Sequence, residues 1–191
     1  MLPPEGFQPT LLKLVELLER FGIRFHLTGG IASVAYGEPR LTQDLHLVID
    51  VERLAVVQDQ FLAAAAQAGF MFSGPTVRKA IVSRRMFQFL DLDPVIKLDL
   101  YPRCLIPGEL DRSVRVEIFP GVVLPLVART DAALSKLVWI GHGSHRSRRD
   151  LRSIFGGASA DEIATVRRTA ADMNPVRLLD EVLDERDEID T

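Results

Sequence analysis

The sequence is short of the residues that build covalent and aromatic machinery. Its 191 residues hold one cysteine, Cys104, one tryptophan and two tyrosines. A single cysteine excludes an internal disulfide, and no histidine stands where it would make a nucleophilic Cys-His pair. No apolar run approaches the length of a membrane span. The opening MLPPEGFQPT lacks the basic start and apolar core of a signal peptide. Together these absences point to the cytoplasm. The formal charge of -3 gives no basic excess that would demand a nucleic-acid partner. No aromatic side chains interleave with the basic stretches, so stacking on single-stranded bases is not supported. Walker A, G-x-S-x-G, Rossmann and kinase fingerprints are all missing, as are internal repeats and low-complexity linkers.

What is present is an ordinary globular composition, 47% hydrophobic and 26% charged. The length suits one domain, or one domain with a helical appendage. Residues 9–21 carry a helical stripe of Leu11, Leu12, Leu14, Val15, Leu17, Leu18 and Phe21, stopped by Gly22. IRFHLTGG reads as a strand running into a diglycine, and IASVAYG as a short helix. EPRLTQ is a loop. DLHLVID is a second strand, with Asp44, His46 and Val48 on one face and Leu45, Leu47 and Ile49 on the other. VERLAVVQDQFLAAAAQAGF is a long helix. RRMFQFLD and VIKLDLYP flank the turn LDP as a hairpin, and RSVRVEIF pairs with GVVLPLV. From RTDAALSKLVWI onward the chain is helical in about four segments. Mixed elements followed by helices predict an α+β fold: a mixed-sheet core over residues 1–128 and a helical region over 129–191.

Three features carry chemistry. A strand entering Gly29-Gly30 and then a helix lets backbone amides approach an anion, although a plain structural turn explains two glycines equally well. Asp44 begins one strand and Asp99 sits within IKLDLY. Acids on a part-buried sheet face are costly unless paired or metal-bound, and two on neighbouring strands could hold a divalent cation. The charge is uneven: HGSHRSRRDLR (142–152) is basic and LLDEVLDERDEIDT (178–191) is acidic. Arg146, Arg148, Arg149 and Arg152, with Arg78, Lys79, Arg84 and Arg85, could track a polyanion, or could simply pair with the acidic tail. His142 and His145 are too few to define a zinc site.

LTGG, then YGEPRLTQDLHL, then IKLDLY resembles the nucleotidyltransferase superfamily with the polymerase-beta-like fold. The resemblance is closest to the minimal bacterial nucleotidyltransferases, which include toxins of abortive-infection toxin–antitoxin pairs. It covers most of residues 20–157. It implies a mixed-sheet nucleotidyltransferase core that transfers a nucleotidyl group from NTP, such as ATP, to a tRNA, another nucleic acid or a protein. Thr28, Gly29, Gly30, Arg40 and Lys136 would bind the nucleotide. Asp44 and Asp99 would hold Mg2+ or Mn2+ and act in catalysis with Lys136 and Asp150, the last two suggested by RTDAALSKLVW and RRDLRSI. An antitoxin would be the expected partner protein.

His46 departs from this pattern, because it stands where the family has its second carboxylate. Imidazole has no negative charge and favours zinc, nickel, copper or iron over magnesium. Three expectations follow: an enzyme using one tightly held metal on Asp44 and Asp99, a site in which His46 ligates a softer metal such as manganese or zinc, or a degenerate site that only binds nucleotide or a partner protein.

Overall fold

A computed structural model describes residues 4–38, 44–93, 95–173 and 176–185. The chain forms two compact units, one of residues 1–31 with 41–127 and the other of residues 32–40 with 128–191.

The first unit is built on the sheet. A 3-10 turn, Pro4–Phe7, leads into α1, Gln8–Arg20, whose Leu11, Leu14 and Leu18 are fully buried. β1 is Phe25–Thr28 and β2 is Asp44–Ile49. Helix α2, Gly29–Tyr36, follows β1 directly and contributes its first three residues here. Helix α3, Val51–Gln67, starts where Asp50 accepts the amides of Glu52 and Arg53 at 3.0 and 3.2 Å. Then come β3, Phe70–Met71, α4, Gly74–Val82, β4, Phe87–Leu92, β5, Val95–Tyr101, β6, Val114–Phe119, and β7, Val122–Leu126.

The seven strands form one mixed sheet in the order β3-β4-β5-β2-β1-β7-β6. β2 is central, antiparallel to β1 and parallel to β5. The alternation of side chains decides what each face becomes. Leu45, Leu98 and Phe89 stand in one transverse row by register, and all three are fully buried. Phe61 of α3 stacks on Phe89, with centroids 6.0 Å apart, and Phe72 does so at 4.6 Å. That apolar face is the core of the unit.

The opposite face carries polar residues in register. Thr28 of β1 pairs with His46 of β2, His46 with Asp99 of β5, and Asp99 with Gln88 of β4. The neighbouring row pairs Asp44 with Lys97, and the row on the other side pairs His26 with Val48 and Val48 with Tyr101. The sheet thus gathers two acids, a histidine and a lysine from two parallel strands.

The second unit is helical. It takes Ala32–Tyr36 of α2 together with α5, Arg129–Gly141, α6, Arg146–Gly156, α7, Ala160–Asp172, and α8, Val176–Asp184. Ser159 and Glu162 form a reciprocal capping box at the start of α7. Leu151, Ile154, Val166, Ala170, Leu179 and Val182 are buried from α6, α7 and α8. Arg129 ties the C-terminal end of α2 to α6, donating to the Tyr36 and Ile154 carbonyls at 2.9 and 3.0 Å.

The sequence reading omitted two elements of the first unit, β3 and α4. The α4 segment buries only Val77, Ala80 and Ile81 in nine residues, too few turns to stand out as a period. Its basic residues Arg78 and Lys79 drew attention as charges instead.

Candidate functional site

Asp44, His46 and Asp99 each offer one ligand atom, and these atoms lie within 4.8 Å of one another. His46 Nε2 is 3.3 Å from Asp44 Oδ2 and 3.4 Å from Asp99 Oδ2. Nε2 is itself buried and makes no hydrogen bond among the described residues. Lys97 also enters the cluster, with Nζ 3.3 Å from Asp44 Oδ2 and 3.9 Å from Asp99 Oδ2. Gln88 Nε2 donates to Asp99 Oδ1 at 3.0 Å, which leaves Oδ2 turned toward the histidine and lysine. Asp99 is 5% exposed, whereas Asp44 is half-buried.

The electrostatics follow from this crowding. Burial pushes the Asp44 carboxyl up, but His46 and Lys97 outweigh it, and its pKa lies below the usual carboxylate value. Tyr101, its ring 5.8 Å from that of His46, is pushed up to about 12 by burial and then by the charges of Asp99 and Asp44. It therefore remains a protonated phenol across the physiological range.

The diglycine meets the same cluster. Gly29 has φ +62°, a conformation L side chains rarely adopt, and a Cβ there would lie 2.5 Å from His46 Nδ1. The imidazole thus packs against Gly29 with its Nδ1 edge toward the turn and Nε2 toward the carboxylates. Gly30 is buried and Thr28 half-buried. The donor set fits a divalent cation: three convergent donors, one an orphaned imidazole nitrogen.

Arg40 lies outside the described residues. Lys136 and Asp150 belong to the second unit, where Lys136 Nζ donates to Asp150 Oδ2 at 2.7 Å. Ser33 Oγ donates to the same oxygen at 3.1 Å. Side-chain exposure of 10% and 8% makes this a closed ion pair rather than two surface charges. His142 and His145 flank the turn between α5 and α6.

The basic stretches are largely neutralised. Arg148 pairs with Glu181 and Glu185, Arg152 with Glu185, Arg149 with Glu38, Arg78 with Asp59 and Arg84 with Glu52. Of the two readings of these arginines, pairing with acids, including those of the tail, is the one seen.

Lys97, Gln88 and Tyr101 were missed as members of the cluster. The signal for Lys97 and Tyr101 was their shared strand face with Asp99. Gln88 faces Asp99 through the register of the β4–β5 hairpin, which its short turn sets.

No family model and no curated protein matches the chain. Solved structures do. An antigenic nucleotidyltransferase-like protein from Paracoccidioides brasiliensis is 16% identical with a TM-score of 0.57, over 94% of this chain and 92% of that one. The antibiotic-resistance factor ANT(2'')-Ia is 13% identical with a TM-score of 0.58, over 90% and 93%. The lincosamide antibiotic adenylyltransferase LnuA, lincomycin-bound, is 11% identical with a TM-score of 0.51, over 78% and 96%. The class is thereby defined: this chain has the α+β fold of nucleotidyltransferases. None of its described helices is long and apolar enough to cross a membrane.

Proposed function

We propose that the protein is a nucleotidyltransferase that moves a nucleotidyl group from NTP to an acceptor hydroxyl, releasing pyrophosphate. One observation carries this reading: Asp44 and Asp99 converge from parallel neighbouring strands beside the Gly29 turn, on a fold shared with nucleotidyltransferases. Asp44 and Asp99 would hold Mg2+ or Mn2+, with His46 as the third donor. The cation would supply Lewis-acid stabilisation of the phosphate charge. The chain's own residues orient the group. Gln88 fixes the rotation of Asp99, and the glycine turn would bring backbone amides to the phosphates.

The pairing of the described arginines with acids favours an acceptor that is not a polyanion. Two of the similar structures bear antibiotic-directed names, which agrees with a small hydroxyl-bearing acceptor. A tRNA acceptor and a toxin role with an antitoxin partner are the finer alternatives from the sequence resemblance. A cytoplasmic setting suits all of them.

A second reading has its own support. His46 Nε2 and Lys97 Nζ already lie 3.3–3.9 Å from both carboxylates and crowd the space a cation would take, which favours a protein that binds nucleotide without transferring it. A labelled-NTP transfer assay separates the two. Measurable transfer that Asp44→Ala abolishes supports the enzyme. Transfer seen only after His46→Asp supports the binding protein. No transfer, and no thermal shift with any NTP plus Mg2+ or Mn2+, would sink both.

A further inference from the structure

The cluster differs from an all-carboxylate metal site in two ways that point in one direction. The first is the donor set. Two carboxylate oxygens and one imidazole nitrogen converge, and the nitrogen is Nε2, buried and without a hydrogen bond. In the Nδ1-protonated tautomer Nε2 presents its lone pair to the two carboxylates, an arrangement that a cation between them would stabilise. Imidazole ligation ranks first-row transition ions above magnesium, which holds its water tightly and takes oxygen donors.

The second is the lysine. Lys97 Nζ lies within 3.3 Å of Asp44 and 3.9 Å of Asp99, so the protein itself supplies one positive charge at the carboxylates. Among the described residues the cluster has no third carboxylate to offset it. Among the described residues, two carboxylates with an ammonium beside them favour one dication over two.

The ring is also held in advance. Its Nδ1 edge rests against Gly29, where no side chain fits, and Tyr101 stands across from it. Fixing the far edge of an imidazole orients its ligating nitrogen.

We infer that Asp44, His46 and Asp99 hold one divalent cation of the transition series in preference to Mg2+, with Lys97 as the built-in charge that keeps a second protein-held cation out. This rests on the metal-binding part of the proposed function and names the ion class of that site.

The test is cation binding by the full chain without nucleotide, using Co2+ and Mg2+ separately. Calorimetry gives stoichiometry and affinity, and the visible absorption of Co2+ reports nitrogen ligation. One Co2+ should bind per chain, tighter than Mg2+ by about tenfold or more, the size of effect that even outer partners of metal ligands have. His46→Ala should weaken Co2+ by at least that factor and barely change Mg2+. His46→Gln, which keeps the volume, serves if the alanine variant does not fold. His46→Asp should shift the preference to Mg2+, and Lys97→Met should tighten the first ion or admit a second. Equal affinity for the two ions, two Co2+ in the native chain, or unchanged Co2+ binding in the His46 variants would overturn the inference. Transfer activity distinguishes the two levels. Co2+ binding as described without transfer removes only the enzyme reading. Transfer in Mg2+ by a chain indifferent to Co2+ removes only this inference.

Discussion

Gly29 and His46 constrain each other through space. A methyl group at residue 29 meets both an unfavourable φ and the His46 ring. Gly29→Ala should destabilise the fold by about 1–3 kcal/mol, and His46→Ala should recover only the steric part. Thermal melts of the two single variants and the double variant give the coupling. The Lys136–Asp150 pair behaves differently because it is nearly closed to solvent. Lys136→Ala leaves the Asp150 carboxylate buried without the ammonium charge and should cost about 3–5 kcal/mol, while Lys136→Met with Asp150→Leu should restore most of it. Urea denaturation of the three proteins measures this.

At the level of elements, the buried polar groups on the strands set the response to acid. His26 of β1 is fully buried, with Nδ1 2.8 Å from Ser113 Oγ, and burial lowers its pKa from 6.5 to about 4. The unfolded chain therefore takes up a proton as pH falls through 6.5, and the folded chain does not until about 4. Stability is intact above 6.5 and should decline by about 3 kcal/mol between 6.5 and 4. Denaturant midpoints at several pH values should show the slope in the native chain and lose it in His26→Gln. The carboxylates act lower. Burial raises the Asp91 pKa, but Lys13 and Thr10 of α1 overcome it, so its value, like that of Asp44, is depressed. Their contribution is present above the ordinary carboxylate range and is lost only as pH falls below about 4. In α7, removing the cap with Ser159→Ala should cost about 1 kcal/mol, read as a drop in Tm.

The elements also show which features a sequence can disclose. β1, the glycine turn and β2 were legible because an apolar strand, a residue suited to positive φ and a two-residue alternation are local signals. The long α3 was legible from its period and its C-terminal glycine. The convergence of Asp44 with Asp99 was legible only as an expectation of the resemblance, since it depends on β2 and β5 pairing across about fifty residues of chain. Lys97 entered the cluster by that same register and Gln88 by the β4–β5 hairpin, while Ser33 reached Asp150 from 117 residues away. The acids that pair with the arginines were not legible, because charge sign alone does not choose a partner.

For the whole molecule, the charge is modest, and Arg78, Arg84, Arg148, Arg149 and Arg152 are engaged with acids. Binding to random single-stranded RNA at physiological salt should be too weak to detect by fluorescence anisotropy below micromolar protein. Saturable sub-micromolar binding with a steep salt dependence would restore a polyanion acceptor. The helical unit adds a different constraint, because it is discontinuous in the chain. A fragment of residues 128–191 would lack the 32–40 segment, and with it Ser33 against Asp150, the Tyr36 carbonyl that receives Arg129 and the Glu38 amide bound to Ser153. It should express as an insoluble or unfolded peptide. The helical half therefore cannot be traded between genes as a terminal cassette. A recombination event that moved it intact would have to carry two separate stretches of the gene, one of them beginning just past the diglycine.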